Sequence, residues 1–268
     1  MSIVKVNENF SPRERAAFLQ EKLKSLGFSS ISWVSSTGST NEDLIAAGLK
    51  GSGNLSVIIA DDQTAGRGRR NREWLSERNT SLLMSVLFRI REPKEQLGLY
   101  SMKLSLAACH ALHELGFVDI RIKWPNDLIV TQGNQTYKLA GVLAQTITES
   151  GETLIVVGIG LNIFPGNLRQ SLPDQNIIAL SEIGDAPDRV LLAERMLEWL
   201  AKLDQDDSLI LDQYASFVDT IGRKVRISTA TEEIIGDAIT VNPNGSLLIE
   251  LANGEEREVF VGDVVHLR

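Results

Sequence analysis

The most informative stretch of this chain is Val57-Ile58-Ile59-Ala60-Asp61-Asp62-Gln63-Thr64-Ala65-Gly66-Arg67-Gly68-Arg69-Arg70-Asn71-Arg72-Glu73-Trp74. Its first four residues predict a strand. The following segment, residues 61–74, contains two glycines and four arginines and is called the arginine loop. Glycine lets a backbone approach a phosphate, and arginine pairs with phosphate or carboxylate oxygens through a planar fork. The loop therefore predicts an anion site, although it matches neither a P-loop nor a dinucleotide-binding motif.

Composition limits the classes of protein that fit. The 268 residues are 43% hydrophobic, which predicts one main domain with a sizeable core and one small domain. The formal net charge of −8 disfavours extended DNA binding. The segment before Trp33 is also too short for the helices of a helix-turn-helix module. We therefore expect no nucleic-acid partner.

Cysteine content and hydropathy predict the compartment. The single cysteine, Cys109, cannot form an internal disulfide, which is typical of a reducing environment. No stretch reaches the roughly 18 apolar residues of a membrane span. The first twenty residues include Arg13, Glu14 and Arg15, which are not typical of a signal-peptide core. We expect a cytoplasmic protein with no membrane partner.

Periodicity predicts an α+β fold with a mixed sheet and flanking helices. Ser11-Pro12-Arg13-Glu14 is a capping box that opens a first helix, and Ser39-Thr40-Asn41 precedes a second. Further helices are predicted from about Glu95 to Leu115 and within residues 188–218. The predicted strands of the middle region are Ser81–Phe88, Ile120–Trp124, Leu139–Thr146 and Thr153–Ile159.

The C-terminal region has a different pattern. Short alternating runs follow Gly222, and they are separated by turn residues at 242–245 and 253–254. Such a pattern predicts a small β-barrel. We expect one domain at residues 1–221 and a second at residues 222–268.

Three further polar islands follow the arginine loop. They are Lys123-Trp124-Pro125-Asn126-Asp127, Lys138 with Gly141, and Gly158-Ile159-Gly160-Leu161-Asn162. Taken singly, the first could be a β-turn, the second is more often a surface lysine, and the third more often marks a β-bulge. Their joint presence and order, after Ser39-Thr40-Asn41 and the arginine loop, resemble the biotin protein ligase family.

The resemblance covers the chain from about Trp33 to Arg268 and implies the type of ligase that lacks a DNA-binding domain. It implies a class II synthetase-like catalytic domain followed by an SH3-like barrel. It also implies a two-step reaction that uses ATP, biotin and Mg²⁺. Biotin is first converted to biotinyl-5′-adenylate, and a lysine of a biotin carboxyl carrier protein then takes the biotinyl group.

The same resemblance implies roles for individual residues. Lys138, Arg67 and Arg69 are expected to stabilise the anions of the reaction, with Asp127 as the fourth catalytic residue. Asp127 is expected either to help hold Mg²⁺ or to accept a proton from the acceptor lysine. Trp74 is either a lid over the adenylate or a core residue.

The implied ligand contacts form two sets. The biotin set comprises Ser39, Thr40, Asn41, Gln63, Gly66, Arg67, Gly68, Arg69, Lys138 and Gly141. The nucleotide set comprises Arg69, Arg70, Lys123, Asn126, Gly158, Gly160 and Asn162. Gly38 and Asn71 depart from the residues common in the family at their positions.

Three other functions stay open at this point. A lipoate or octanoate ligase or transferase would also handle a carboxylate-tailed group and a carrier lysine. A catalytically silent biotin-binding regulator would use the adenylate only as a signal, and a bifunctional repressor would also bind DNA. The oligomeric state is either monomer or homodimer, and the arginine loop is expected to be mobile until a ligand binds.

Overall fold

A seven-stranded mixed sheet forms the centre of the larger part of the molecule. The computed structural model describes residues 10–90, 97–149 and 151–267. The strands are β1 Ser30–Val34, β2 Ser56–Ala60, β3 Ser81–Ile90, β4 Arg121–Lys123, β5 Asp127–Gln132, β6 Gln135–Glu149 and β7 Glu152–Asn162. Their spatial order is β1-β2-β3-β7-β6-β5-β4, with β1 and β2 parallel and the other pairs antiparallel. The predicted α+β class is confirmed.

Helices cover this sheet. They are α1 Pro12–Lys22, α2 Thr40–Leu49, α3 Gly98–Glu114, α4 Leu168–Ser171, α5 Arg189–Gln205 and α6 Ile210–Phe217. The predicted capping box is confirmed, because Ser11 Oγ accepts the Glu14 amide at 3.3 Å while Glu14 Oε2 accepts the Ser11 amide at 2.8 Å. The predicted start of the third helix at Glu95 lies outside the described residues, and the described helix begins at Gly98.

The strand β3 is buried on both of its faces. Leu87 packs with Leu44 of α2 on one face, whereas Val86 and Phe88 join the main core on the other. Helices α3 and α5 lie on that second face, and α3 carries the fully buried Cys109. Burial raises the pKa of the Cys109 thiol, so the thiol stays protonated and unreactive.

The strand β5 was not predicted from sequence. Its apolar run, Leu128 to Val130, is only three residues long, and Asp127 was assigned to a turn with Pro125 and Asn126. In the structure Asp127 is the first residue of β5 and pairs opposite Gly141 of β6. Pairing with the long strand β6 therefore places the Asp127 carboxylate beside the residues of β6.

The C-terminal part is a five-stranded antiparallel sheet. Its strands are β8 Lys224–Ser228, β9 Glu233–Val241, β10 Leu247–Glu250, β11 Glu256–Val259 and β12 Asp263–His266, in the order β11-β10-β9-β8-β12. Alternate residues of β8 and β9 are buried, as the sequence pattern predicts. The small antiparallel C-terminal unit is confirmed, and the boundary at residue 222 stays a prediction. Among the described helices, none has the length and apolar character needed to cross a membrane.

Candidate active site

A cavity opens where the start of α2, the arginine loop and the strands β6 and β7 meet. Its lining contains most of the residues that the sequence motifs single out. These are Ser39, Thr40, Asn41, Gln63, Arg67, Gly68, Arg69, Asn126, Asp127, Lys138, Gly141, Gly158, Gly160 and Asn162. The fold thus gathers motifs that are far apart in the sequence into one site.

Three predicted site residues do not line this cavity. Gly66 lies under the Trp74 backbone, where a Cβ would come within 2.6 Å of the Trp74 carbonyl oxygen. Arg70 points to the C-terminal sheet, with Nη1 2.9 Å from Asp263 Oδ2. Burial lowers the pKa of Lys123, and the charge of Asp127 opposes that shift. Gly66 therefore shapes the loop, and neither Arg70 nor Lys123 lines the cavity.

A chain of hydrogen bonds forms the uncharged end of the cavity. Gln63 Oε1 accepts the Thr40 amide at 2.8 Å, and Thr40 Oγ1 lies 2.7 Å from Ser85 Oγ. Ser85 Oγ donates to Asn41 Oδ1 at 2.6 Å, and Asn41 Nδ2 donates to Gln145 Oε1 at 2.8 Å. Ser85 and Gln145 were not predicted as site residues, although Ser85 is a hydroxyl in the middle of the apolar strand β3. The network holds amide and hydroxyl groups in fixed orientations.

Ser39 occupies the N-cap position of α2 without using its side chain as a cap. Its backbone is extended, and its hydroxyl makes no capping hydrogen bond in the described structure. The residue is 4% exposed and lines the cavity. The Ser39 side chain is therefore free of a capping role and available to the site.

The charged end of the cavity centres on Lys138. Its Nζ lies 2.7 Å from Asp127 Oδ1 and 5.7 Å from the centre of a Trp74 ring. A Cβ on Gly141 would come within 3.2 Å of both Lys138 Nζ and the Trp74 ring. Gly141 thus leaves the space in which the ammonium group and the indole meet.

The glycines of β7 provide clearance for two cavity side chains. A Cβ on Gly158 would lie 2.2 Å from Asn41 Oδ1, and one on Gly160 would lie 2.3 Å from Trp74 Cε2. The pairing of β7 with β6 and β3 is continuous through both glycines, so the β-bulge explanation is wrong. Trp74 therefore forms part of the cavity wall. Its Nε1 is buried and has no hydrogen-bond partner among the described residues.

The arginine loop folds back on itself. The Gly68 amide donates to the Arg72 carbonyl at 2.7 Å, and the Trp74 amide donates to the Gly66 carbonyl at 2.9 Å. Arg67 Nη2 lies 2.8 Å from Glu42 Oε1. These contacts hold the loop over the cavity. The mobility of the loop in the absence of a ligand stays a prediction.

Arg69 is the more enclosed of the two arginines assigned to catalysis. Its Nη1 donates to Asn126 Oδ1 at 3.0 Å, which joins the arginine loop to the segment before β5. Burial lowers the pKa of its guanidinium, and the nearby carboxylates of Asp263 and Asp127 oppose that shift. An anion entering the cavity would meet a guanidinium with little competing water.

Asp263 connects the C-terminal sheet to the arginine loop. It is the first residue of β12, lines the cavity, and forms ion pairs with both Arg70 and Arg72. Arg70 Nη2 also donates to the Ser228 carbonyl at 3.0 Å. This contact could not be predicted from sequence, because an acidic residue at the start of a short strand is common.

Asn162 brings a buried amide to the cavity. It is 2% exposed, and its Nδ2 donates to the Ile178 carbonyl at 3.2 Å. Its Oδ1 is buried without a hydrogen-bond partner among the described residues. A ligand donor reaching this oxygen would satisfy it.

The three histidines form no metal site among the described residues. His110 stacks on Trp199 with ring centres 4.2 Å apart. His113 Nε2 lies 3.3 Å from the Ile120 carbonyl oxygen, and His266 Nε2 lies 3.1 Å from Thr220 Oγ1. Within residues 10–90, 97–149 and 151–267, no three His, Cys, Asp or Glu side chains cluster to hold a metal ion. Asp127 therefore belongs to no group of three such side chains among the described residues.

Two family descriptions match the chain. Residues 33–162 match the model described as the biotin/lipoate A/B protein ligase family. Residues 220–267 match the model described as the biotin protein ligase C-terminal domain. The first match contains the cavity motifs from Ser39 to Asn162, and the second contains the C-terminal sheet.

Individual relatives agree with these matches. The biotin–acetyl-CoA-carboxylase ligase of Mycobacterium tuberculosis is 34% identical over 254 residues, which cover 90% of this chain and 91% of the relative. The bifunctional ligase/repressor BirA of Escherichia coli is 32% identical over 201 residues, covering 72% of this chain and 61% of BirA. The solved structure of a ligase from Aquifex aeolicus, in complex with biotin and ATP, has a TM-score of 0.71 and 27% identity. The match covers 90% of this chain and 100% of the Aquifex aeolicus chain.

Proposed function

Because the chain belongs to the biotin protein ligase family, we propose that it attaches biotin to a lysine of a biotin carboxyl carrier protein through biotinyl-5′-adenylate. The observation that carries this proposal is the two-ended cavity. Uncharged amides and hydroxyls lie at one end, around Gln63 and Asn41, and cationic side chains lie at the other. Biotin has the same division, with an uncharged ureido ring and a carboxylate tail.

The strand β6 sets the spacing between the two ends. A Cβ on Gly141 would lie 3.2 Å from Lys138 Nζ, whereas Gln145, four residues later, accepts a hydrogen bond from Asn41. Four residues of strand span roughly 13 Å. We propose that biotin lies along this strand, with its ring at the Asn41 end and its carboxylate at the Lys138 end.

In the first step, a biotin carboxylate oxygen bonds to the α-phosphorus of ATP, and the bond from that phosphorus to diphosphate breaks. Both reactants are anions, so their approach is repulsive without nearby cations. The Lys138 ammonium lies at the charged end of the cavity, where it offsets this repulsion. Arg67 and Arg69 add charge from the loop and retain the adenylate.

In the second step, the amine of the carrier lysine attacks the acyl carbon and AMP leaves. The attacking amine loses a proton as the amide forms, and Asp127 is the cavity carboxylate closest to Lys138 at 2.7 Å. We propose Asp127 as its acceptor or as the oxygen ligand of Mg²⁺. A single carboxylate fits Mg²⁺ that arrives on ATP, because this ion takes one or two carboxylates together with phosphate oxygens. Bound there, Mg²⁺ would neutralise phosphate charge.

The wider assignments are also proposals. We propose domains at residues 1–221 and 222–268, supported by the separate family matches. We propose the cytoplasm as the compartment, supported by the reduced and buried Cys109. Lipoate lacks a ureido group, so it would leave the Gln63 and Asn41 end of the cavity without its polar ligand.

The test is transfer of biotin to a purified carrier domain with Mg-ATP, measured by intact mass. Parallel reactions contain lipoate, or a carrier whose acceptor lysine is replaced by arginine. We expect one biotinyl group on the normal carrier, no lipoyl group in the lipoate reaction, and no biotinyl group on the carrier that lacks the acceptor lysine. Lipoyl transfer at a similar rate would favour the lipoate ligase, and adenylate formation without transfer would favour the silent regulator. A specific shift of operator DNA at stated salt would establish a repressor role.

A further inference from the structure

A buried ionic cluster lies behind the cavity and is not used by the proposed reaction. Asp61 Oδ1 lies 2.7 Å from Arg15 Nη1 and 2.7 Å from Arg189 Nη1, and it accepts from Trp33 Nε1 at 2.8 Å. All four residues are no more than 7% exposed, and none lines the cavity. The cluster joins α1, α5 and β1 to the residue that follows β2.

Asp61 is also one end of the segment that carries the arginine loop. The other end is Asn79, whose amide donates to the Asp61 carbonyl at 2.9 Å. Arg189 Nη2 donates to Asn79 Oδ1 at 2.9 Å, while its Nη1 contacts Asp61. A single guanidinium thus bridges the point where the chain leaves the sheet and the point where it returns.

We propose that Arg189 is a positioning residue for the ligase reaction, because it holds together the two ends of segment 62–78. This segment supplies Gln63, Arg67, Arg69 and Trp74 to the cavity. Fixing its two ends reduces the number of conformations that the loop can adopt. The inference rests on the proposed function for its effect on the adenylate, but its effect on the loop does not depend on any ligand.

The position of Arg189 within its helix supports this role. It is the first residue of α5, where a positive charge is unfavourable to the helix dipole. The helix start is secured instead by Asp188, whose Oδ1 accepts the Val190 and Leu191 amides at 2.9 Å each. The contacts of Arg189 with Asp61 and Asn79 therefore explain its placement better than helix stability does.

Asn79 allows one side of this bridge to be removed without opening the buried cluster. Its φ of 67° is left-handed, a conformation that glycine and aspartate both tolerate better than most residues. Asn79→Gly deletes the Oδ1 acceptor, whereas Asn79→Asp keeps an oxygen at the same place. Asn253→Gly removes an asparagine from a turn of the C-terminal sheet and serves as the matched control.

The first experiment is limited trypsin cleavage of the ligand-free protein, with cleavage after the loop arginines followed by intact mass. We expect cleavage to be about tenfold faster in Asn79→Gly and near the wild-type rate in Asn79→Asp and Asn253→Gly. Urea unfolding identifies any general loss of stability. Equal loop cleavage in Asn79→Gly and Asn79→Asp would overturn the proposal.

The second experiment measures dissociation of biotinyl-adenylate and the KM for biotin. Asn79→Gly should release the adenylate about tenfold faster and raise KM more than it lowers kcat, and Asn79→Asp should restore both. A wild-type protein that forms no adenylate would contradict the proposed function and leave the cleavage result to decide the inference. If Asn79→Gly releases the adenylate at the wild-type rate, the positioning role is contradicted.

Discussion

Lys138 is the residue on which the chemistry depends most. Its ammonium pairs with Asp127 and faces the cavity, so replacement by glutamine removes the central positive charge while keeping a polar side chain of similar length. We expect Lys138→Gln to lower the rate of adenylate formation about 10²- to 10³-fold. The measurement is biotin-dependent exchange of diphosphate into ATP. Lys224→Gln, on the exposed side of β8, is the control, and an unchanged rate in Lys138→Gln would remove this residue from the mechanism.

Gly160 tests whether the Trp74 ring must lie where it does. Alanine at this position would put a Cβ 2.3 Å from Trp74 Cε2, so the indole has to move away from β7. We expect Gly160→Ala to weaken adenylate retention and to cost about 1–3 kcal/mol of unfolding free energy. Tryptophan fluorescence and adenylate dissociation are the measurements. Gly38→Ala, where a Cβ would meet no atom within 4 Å, should behave like wild type.

The strand β3 offers a matched pair of serines. Ser85 Oγ bridges Thr40 and Asn41, whereas the buried Ser81 Oγ has no hydrogen-bond partner among the described residues. Ser85→Ala should cost about 1–3 kcal/mol and raise the KM for biotin with little change in the KM for ATP. Ser81→Ala should be close to neutral. Urea unfolding and steady-state kinetics measure both, and equal effects of the two changes would contradict the network.

Local rules were sufficient for elements whose signals lie within a few residues. The capping box at Ser11 and the alternation in β9 depend on neighbours in sequence, and both were predicted. The strand β5 depends on pairing with β6, and its short apolar run did not reveal it. In the site, the motif residues were predictable, but the partners Ser85 and Asp263 were not, because long-range packing selects them.

The joint between the two parts of the molecule includes Asp263. Because it forms ion pairs with Arg70 and Arg72, the C-terminal sheet helps to hold the arginine loop. Exposed ion pairs contribute about 0.2–1 kcal/mol each, so the loss of both pairs in Asp263→Asn should speed trypsin cleavage of the loop by about twofold to thirtyfold. The exposed Asp237→Asn on β9 is the control. Identical cleavage of the two variants would mean that the sheet does not restrain the loop.

The same joint should make stability depend on pH through His266. Burial lowers its pKa to about 4, and its Nε2 lies 3.1 Å from Thr220 Oγ1, which also accepts the Trp124 amide. The unfolded chain takes up a proton below its ordinary pKa of about 6.5, whereas the folded protein does so only near 4. Stability contributed by this group is therefore complete above pH 6.5 and is lost as the pH falls to 4.

We expect this loss to be about 1–2 kcal/mol, because solvent at the partly buried ring reduces the effect. His266→Gln should flatten the pH dependence of the unfolding free energy between pH 6.5 and 4, relative to wild type. Urea titrations at several pH values measure it. Parallel curves for the two proteins would show that His266 binds protons equally in the folded and the unfolded protein, which would contradict this prediction.

Cys109 makes the molecule convenient for spectroscopic work. It is the single cysteine of the chain and lies fully buried in α3. Maleimide and nitroxide reagents react with exposed thiolates, so the native thiol should stay unlabelled while the protein is folded. Two introduced cysteines, one at an exposed position of the arginine loop and one elsewhere on the surface, would then be the reactive thiols. Distances between the two labels would follow the closing of the loop in real time, with no need to replace the native residue first.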